Sequence, residues 1–271
     1  MNTYVLPNGK EICCLDRLTA DYIYNEIFVE NVYVKHGIEI HDGDVIFDVG
    51  ANIGLFSLYL MYSFHGVKVH AFEPVPQIFD VLESNLSDYR EQVKLYNYGL
   101  SHENETVTFN YYPGVSGDST RNPFIWERKK NDYLNNYRET VCSTYPAARM
   151  VPSFLRPFVV EQGLRRLYKN VNVTCSLKTL SEVISHENIE RIDLLKIDAE
   201  NAEWDVLNGI DSSDWKKIYQ LAIEVHEHIE GGENLGNRIK DLLMFNGFSV
   251  TVDNTDDVQA NMGVFMLYAL R

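Results

Sequence analysis

The sequence predicts an α/β domain wound around a mostly parallel sheet, and three observations carry that expectation. Short apolar strands alternate with helical stretches from about residue 42 onward, the rhythm that parallel crossover units impose. A glycine-bearing loop, Asp48-Val49-Gly50-Ala51-Asn52-Ile53-Gly54, falls between the first of these strands and its helix. One unit later a strand ends in Phe72-Glu73-Pro74.

Taken in order, Thr3 to Leu6 and Lys10 to Cys14 read as two strands around a Pro7-Asn8-Gly9 turn. Thr19 to Phe28 has helical spacing, with Tyr22, Ile23, Glu26 and Ile27 suited to covering another element. Residues 1–41 are therefore expected as an N-terminal hairpin and helical cover, and 42–271 as the main domain. Val45-Ile46-Phe47 is a strand ending at Asp48, followed by an apolar helix from Leu55 to Tyr62. Val67 to Phe72, Ile78 to Leu86 and Val93 to Tyr98 continue as strand, helix and strand, and Glu105 to Tyr111 looks like an extra strand. The alternation resumes with a helix over 179–186, a strand from Ile192 to Ile197, a helix over 202–210 and a strand from Ile218 to Val225. A helix over 235–245 stops at Asn246-Gly247. Phe248 to Val252 and Gly263 to Ala269 then close the chain as an antiparallel strand pair.

Residues 113–175 fit neither rhythm and are expected as an irregular, lid-like insertion. They hold five of the eight prolines, and ten of the 24 lysines and arginines against five acids. The insertion thus carries +5 while the rest of the chain carries −20.

Composition narrows the classes. At 271 residues, 45% hydrophobic and 23% charged, the chain has ample material for a core. No run of 18 apolar residues argues for a membrane span, and the N-terminus has no secretory pattern. Cys13, Cys14, Cys142 and Cys175 form no C-x-x-C, which suggests a reduced, cytoplasmic protein without a zinc knuckle. A net charge of −15 argues against general nucleic-acid binding.

The first loop has the glycines of a cofactor turn: Gly50 for close backbone approach and Gly54 for helix–sheet packing. Asn52 stands where a nicotinamide site prefers glycine, and the lysine of a phosphate-binding loop is absent. Asp48 would repel a diphosphate and suit a cation. Glu73 is placed to accept both hydroxyls of a ribose. A ligand with a ribose, a positive centre and an ammonium, but no phosphate, is S-adenosylmethionine. Asn97, at the end of the third strand, is a candidate adenine contact or a turn residue, and Gly117-Asp118-Ser119 a candidate cofactor border.

With these motifs, together with L-K-I-D-A-E-N-A-E over 195–203 and I-E-V-H over 223–226, the chain resembles the FkbM-type S-adenosylmethionine-dependent methyltransferases. The resemblance covers roughly residues 44–110 and 176–269. It implies a Rossmann-like class I methyltransferase sheet, and S-adenosylhomocysteine as product. Leu6-Pro7-Asn8-Gly9 and Glu26-Ile27-Phe28 resemble the subset attached to polyketide and nonribosomal peptide assembly lines. Asn201 stands where that family usually has glycine.

Methyl transfer from a sulfonium is an in-line displacement, and a hydroxyl acceptor must lose a proton. Candidate bases project from the C-terminal ends of the strands. Lys196, Asp198, Glu200 and Glu203 form one cluster, and Glu224, His226 and His228 another. The resemblance supports a His–Glu arrangement with His226 as base. Glu200 is favoured as its partner, with Glu203 and Glu224 as alternatives. Asp198 is a candidate contact for the methionine end of the cofactor, and His228 a bystander. His226 and His228 with Asp198 and Glu200 also offer metal ligands, but magnesium-using methyltransferases favour Asp/Asn oxygen clusters, so no metal is assigned.

The expected function is O-methylation of a polyketide or peptide intermediate. Sugar or nitrogen methylation, and a non-catalytic cofactor-binding module, are the alternatives. A carrier-tethered substrate is the expected partner: Arg121, Arg128, Lys129, Lys130, Arg165 and Arg166 of the insertion would receive an acidic acyl carrier protein.

Overall fold

The computed structural model describes residues 2–122, 124–227, 234–253, 260 and 262–271. The chain opens with a hairpin of β1 (Asn2–Val5) and β2 (Glu11–Cys14), turned at Gly9 with φ +82°. Asn85 pins this hairpin to the domain by exchanging hydrogen bonds with the Cys13 backbone. Helix α1 (Arg17–Tyr24) is capped by Asp16, which accepts the Thr19 N–H at 2.7 Å, and one π-type turn extends it to Val29.

The wound part begins with β3 (Val45–Val49), α2 (Leu55–Ser63), β4 (Lys68–Phe72), α3 (Pro76–Asn85) and β5 (Val93–Tyr96). Next come β6 (Gly99–Leu100), β7 (Glu105–Tyr111), α4 (Trp126–Asn135), α5 (Tyr137–Thr144), α6 (Arg156–Leu167) and β8 (Val171–Lys178). The chain then returns through α7 (Leu180–His186), β9 (Leu194–Ile197), α8 (Glu203–Asn208), β10 (Gln220–His226), α9 (Leu235–Phe245), β11 (Ser249–Asp253) and β12 (Val264–Leu270).

Seven strands form the main sheet in the order β5-β4-β3-β9-β10-β12-β11. All pairings are parallel except those of β12, which runs antiparallel to β10 and β11. The expected parallel sheet with an antiparallel terminal pair is present. Alternation along each strand feeds two cores: Ile46 packs with α2 and α3, Phe47 with the opposite layer. Helix α2 buries Leu55, Phe56, Leu58 and Leu60, because the N-terminal segment closes its outer side. Tyr33 packs on Phe56 at 5.3 Å and Phe28 on Tyr59 at 5.5 Å. From β3 the chain winds out to β4 and β5, then returns to place β9 on the other side of β3. Ligands in such sheets bind at this reversal, beyond the strand C-termini.

The insertion is regular where irregularity was expected. It folds as three helices around a small core of Tyr112, Tyr137, Cys142, Val160, Leu164 and Tyr168. Their periodicity was weak because α4 buries none of its ten residues, while α5 and α6 bury two each. The strand β8 is not among those expected from the sequence. It pairs with β6 and β7 in a separate three-stranded sheet, with alternation too shallow to stand out.

Gly50 has φ +74°, and a Cβ there would lie 1.7 Å from the Asp198 carbonyl oxygen. Close approach at this position is therefore between β3 and β9. Gly50→Ala should destabilise the fold by more than about 2 kcal/mol in urea unfolding. Gly9→Ala, with a similar φ but nothing within 4 Å, should cost only about 1 kcal/mol. Equal losses would contradict this packing argument.

Candidate active site

Lys196 is buried at the β3–β9 seam. Its ammonium donates to the Gly50 carbonyl at 2.8 Å and lies 3.2 Å from Asp48 and 3.5 Å from Asp198. Burial pushes its pKa down, but Asp48 and Asp198 outweigh this and hold it above the usual lysine value. Asp48 also accepts the Ser57 hydroxyl at 2.8 Å. Asp48 was expected to face a ligand cation; its side chain points into the seam, where the cation is Lys196.

A cavity of about 790 Å³ opens at the strand C-termini. Gly50, Asn52, Glu73, Asp198, Glu200, Glu224 and His226 line it. Asp48, Gly54, Asn97 and Glu203 are not part of its wall. Gly54 starts α2 at φ +89°, with Leu82 2.8 Å from where a Cβ would lie. Asn97 donates to the Glu73 carbonyl at 3.0 Å, so it shapes the loop after β4.

Glu73 is 5% exposed and accepts the backbone N–H groups of Asn52 at 3.2 Å and Val75 at 2.9 Å. Burial outweighs these bonds and pushes its pKa up to about 7. A buried carboxylate at a cavity wall, with one N–H on each oxygen, keeps further lone pairs for a vicinal diol.

At the other end of the cleft, His226 closes β10. Its Nδ1 donates to Glu203 Oε1 at 2.8 Å, and its Nε2 lies 3.6 Å from Glu200. Glu203 is fully buried and also accepts the Asn201 N–H at 3.1 Å. Of the three candidate partners, Glu203 makes the hydrogen bond. Burial alone would depress the His226 pKa, but Glu200, Glu203 and Glu224 overcome it and hold the imidazole well above 6.5. Burial, with Asp118 and Asp198, pushes Glu200 up to about 8. Burial, Asp198 and Glu26 push Glu224 well above the carboxylate range.

The loop carrying these groups is left-handed at Glu200 (φ +45°) and Asn201 (φ +72°). Asparagine tolerates that region better than most residues. The insertion clamps it: Thr120 donates to the Glu200 carbonyl at 2.6 Å, and Asn122 to the Asn201 carbonyl at 2.8 Å. The Tyr33 hydroxyl donates to Asp198 at 2.9 Å and lies 3.4 Å from Glu224. Neither Tyr33 nor the clamp was legible, since no motif surrounds them. Asp118 lines the cavity, paired with Lys129 and with the Tyr168 hydroxyl.

Asp198, Glu224 and His226 present ligating atoms within 4.8 Å of one another and could hold a metal. The Lys196 ammonium beside Asp198 already supplies positive charge there and would repel a dication. His228 lies outside the described residues.

Most of the six basic side chains expected to meet an acidic partner already have partners within the protein. Arg121 pairs with Glu105 and Asp205, Lys129 with Asp118, Lys130 with Glu127 and Glu161, and Arg165 with Glu161. Arg128 donates to the Glu227 carbonyl at 3.2 Å. Of the six expected to receive an acidic partner, Arg166 is exposed without a partner among the described contacts. Net charge counted residues and could not see these pairings.

This sheet order, the glycine loop after β3 and the acid after β4 define a class I S-adenosylmethionine-dependent methyltransferase. The chain belongs to the FkbM family: the methyltransferase FkbM domain matches residues 48–250. It is 34% identical over 267 residues to the AMB antimetabolite synthetase AmbE of Pseudomonas aeruginosa, covering 98% of this chain but only 12% of AmbE. It is 34% identical to the 31-O-demethyl-FK506 methyltransferase FkbM of Streptomyces tacrolimicus, over 93% of this chain and 91% of that one. Methyltransferase sdnD of Sordaria araneosa is 33% identical, over 89% and 87%. The crystal structure of Methyltransferase FkbM from Methylobacillus flagellatus KT shares the fold at TM-score 0.51 and 14% identity, over 86% of this chain and 45% of that one. Among the described residues no helix is long and apolar enough to cross a membrane.

If Glu73 holds the ribose, Glu73→Ala should weaken S-adenosylhomocysteine binding by about 10- to 100-fold, or roughly 1.4–2.7 kcal/mol of charge-assisted hydrogen bonding. Glu73→Gln, which keeps one acceptor oxygen, should lose less. Calorimetry giving wild-type affinity for both variants would remove Glu73 from the cofactor site.

Proposed function

We propose that this methyltransferase acts on a hydroxyl of a specialised metabolite, with the His226 cluster taking the hydroxyl proton. The observation that carries this reading is the buried His226–Glu203 hydrogen bond, which leaves Nε2 directed to Glu200 at the cavity wall. The relatives named for natural products support the substrate class.

When bound, S-adenosylmethionine supplies an electrophilic methyl group on a sulfonium. Glu73 would take its ribose hydroxyls, Gly50 and Asn52 would line the same wall, and Asp198 would face its ammonium. Glu203 orients the imidazole, as a carboxylate beside a catalytic histidine does. Thr120 fixes the backbone that carries Glu200. The acceptor O–H would meet Nε2 of His226 or the Glu200 carboxylate, and its proton would pass into that pair as the oxygen attacks in line.

The sign of the pH dependence follows. The accepting form is the deprotonated one, and His226 and Glu200 both titrate above their ordinary values. One proton must therefore leave the cluster before another can enter. The rate should rise with pH through a value above the ordinary histidine range.

The relation to part of AmbE favours a second reading, a carrier-tethered acceptor. The internal pairing of the basic insertion leaves an acidic carrier fewer contacts than its net charge suggests. The four free cysteines fit a cytoplasmic location. No metal is required in this reading, because Lys196 compensates the acids.

His226→Ala should lower kcat by about 100-fold or more while leaving S-adenosylhomocysteine affinity nearly unchanged. Glu203→Gln removes a charge that raises the His226 pKa, so its rate–pH profile should move to lower pH. A His226→Ala variant with normal turnover would assign the proton to another group. An unmoved profile in Glu203→Gln would show that Glu203 only packs against the ring.

A further inference from the structure

Gly163 stands apart among the described glycines. Each of the others has either a positive φ or a neighbour within 4 Å of where a Cβ would lie. Gly163 has neither: it sits inside α6, and a Cβ there would meet nothing within 4 Å. Glycine in a helix interior is unfavourable relative to alanine, and no packing here requires it. Gly163 does line the large cavity, one turn beyond Val159 on the same wall.

The cavity extends well past the catalytic cluster. Its cofactor end holds Glu73, Asn52 and Gly50, and Gly50 abuts Asp198. The His226 cluster comes next, and Asp118 and Lys129 continue from it into the insertion. Beyond them the wall passes to α5 and α6, including Val141, Tyr145, Val160 and Leu164. The α5 hydroxyls that line it bond back to their own helix: Thr140 to the Asn136 carbonyl at 2.8 Å, Ser143 to Glu139 and Thr144 to Thr140. They therefore offer few donors to a ligand. Lys129 is consumed by Asp118, and the other charged side chains on this part of the wall are Asp132, which Arg128 also faces, and the exposed Glu139. A negative residue of charge on a mostly apolar wall rejects an anionic body.

We propose that the arm between α5 and α6 receives the body of the methyl acceptor, an elongated, largely apolar molecule without negative charge, and that Gly163 sets the arm's width. This rests on the reading that the His226 cluster receives the acceptor hydroxyl, but its test needs no turnover.

The test loads the full chain with S-adenosylhomocysteine and follows Nile red fluorescence, displacing the dye with 1-dodecanol or with dodecanoate. Nile red should bind, dodecanol should displace it, and dodecanoate should be at least about tenfold weaker, roughly 1.4 kcal/mol. Gly163→Leu should weaken dye and dodecanol by about tenfold or more without changing S-adenosylhomocysteine affinity. Gly163→Ala should weaken them less and raise the melting temperature, which a glycine needed for packing would not do. Absence of dye binding, equal displacement by alcohol and carboxylate, or unchanged dodecanol affinity in Gly163→Leu would each overturn the proposal. So would a parallel loss of S-adenosylhomocysteine affinity. If His226→Ala retains normal turnover while these binding results hold, the proton acceptor fails and the arm stands.

Discussion

A buried ammonium at the seam of β3 and β9 ties the two halves of the site together. Lys196 reaches from β9 to the Gly50 carbonyl of the first loop, and its charge balances Asp48 below and Asp198 above. Removing one member of such a buried set leaves an uncompensated charge, at a cost of about 3–5 kcal/mol. Gly50 makes the approach possible, because no side chain fits between the strands there. The loop after β3 and the Asp198–Glu203 loop therefore hold one fixed relation at the mouth of the cavity.

Upon that seam sits a group of acids that would repel one another in isolation. Asp198, Glu200 and Glu224 converge on one imidazole, with Glu203 behind it. Tyr33 supplies a hydroxyl between Asp198 and Glu224, and Lys196 supplies positive charge from below. The N-terminal cover and the insertion both take part, the first through Tyr33 and the second through Thr120 and Asn122. Segments that surround the sheet in sequence thus complete its chemistry in space.

What the sequence disclosed follows from where information is local. The strand–loop–helix unit around Gly50 and the strand ending at Glu73 are contiguous motifs, and both reach the cavity. Asp48 shows the limit of that logic: one residue along a strand turns the side chain to the other face, and its partner Lys196 lies 148 positions away. Tyr33 sits in a loop with no pattern, so nothing local marked it. The insertion hides its order for a different reason. Its helices bury too few side chains to show periodicity, and four of its basic residues, Arg121, Lys129, Lys130 and Arg165, find acids within the fold, which composition cannot register.

We propose that a cluster takes the acceptor's proton, with His226 held cationic by its carboxylates until a proton leaves. The most direct measurement is a pH titration of the His226 ring nitrogens by nuclear magnetic resonance in the ligand-free protein. Both nitrogens should remain protonated through pH 6.5, with the transition well above that value. A ring that is already neutral at pH 6.5, titrating at or below the ordinary histidine value, would contradict it.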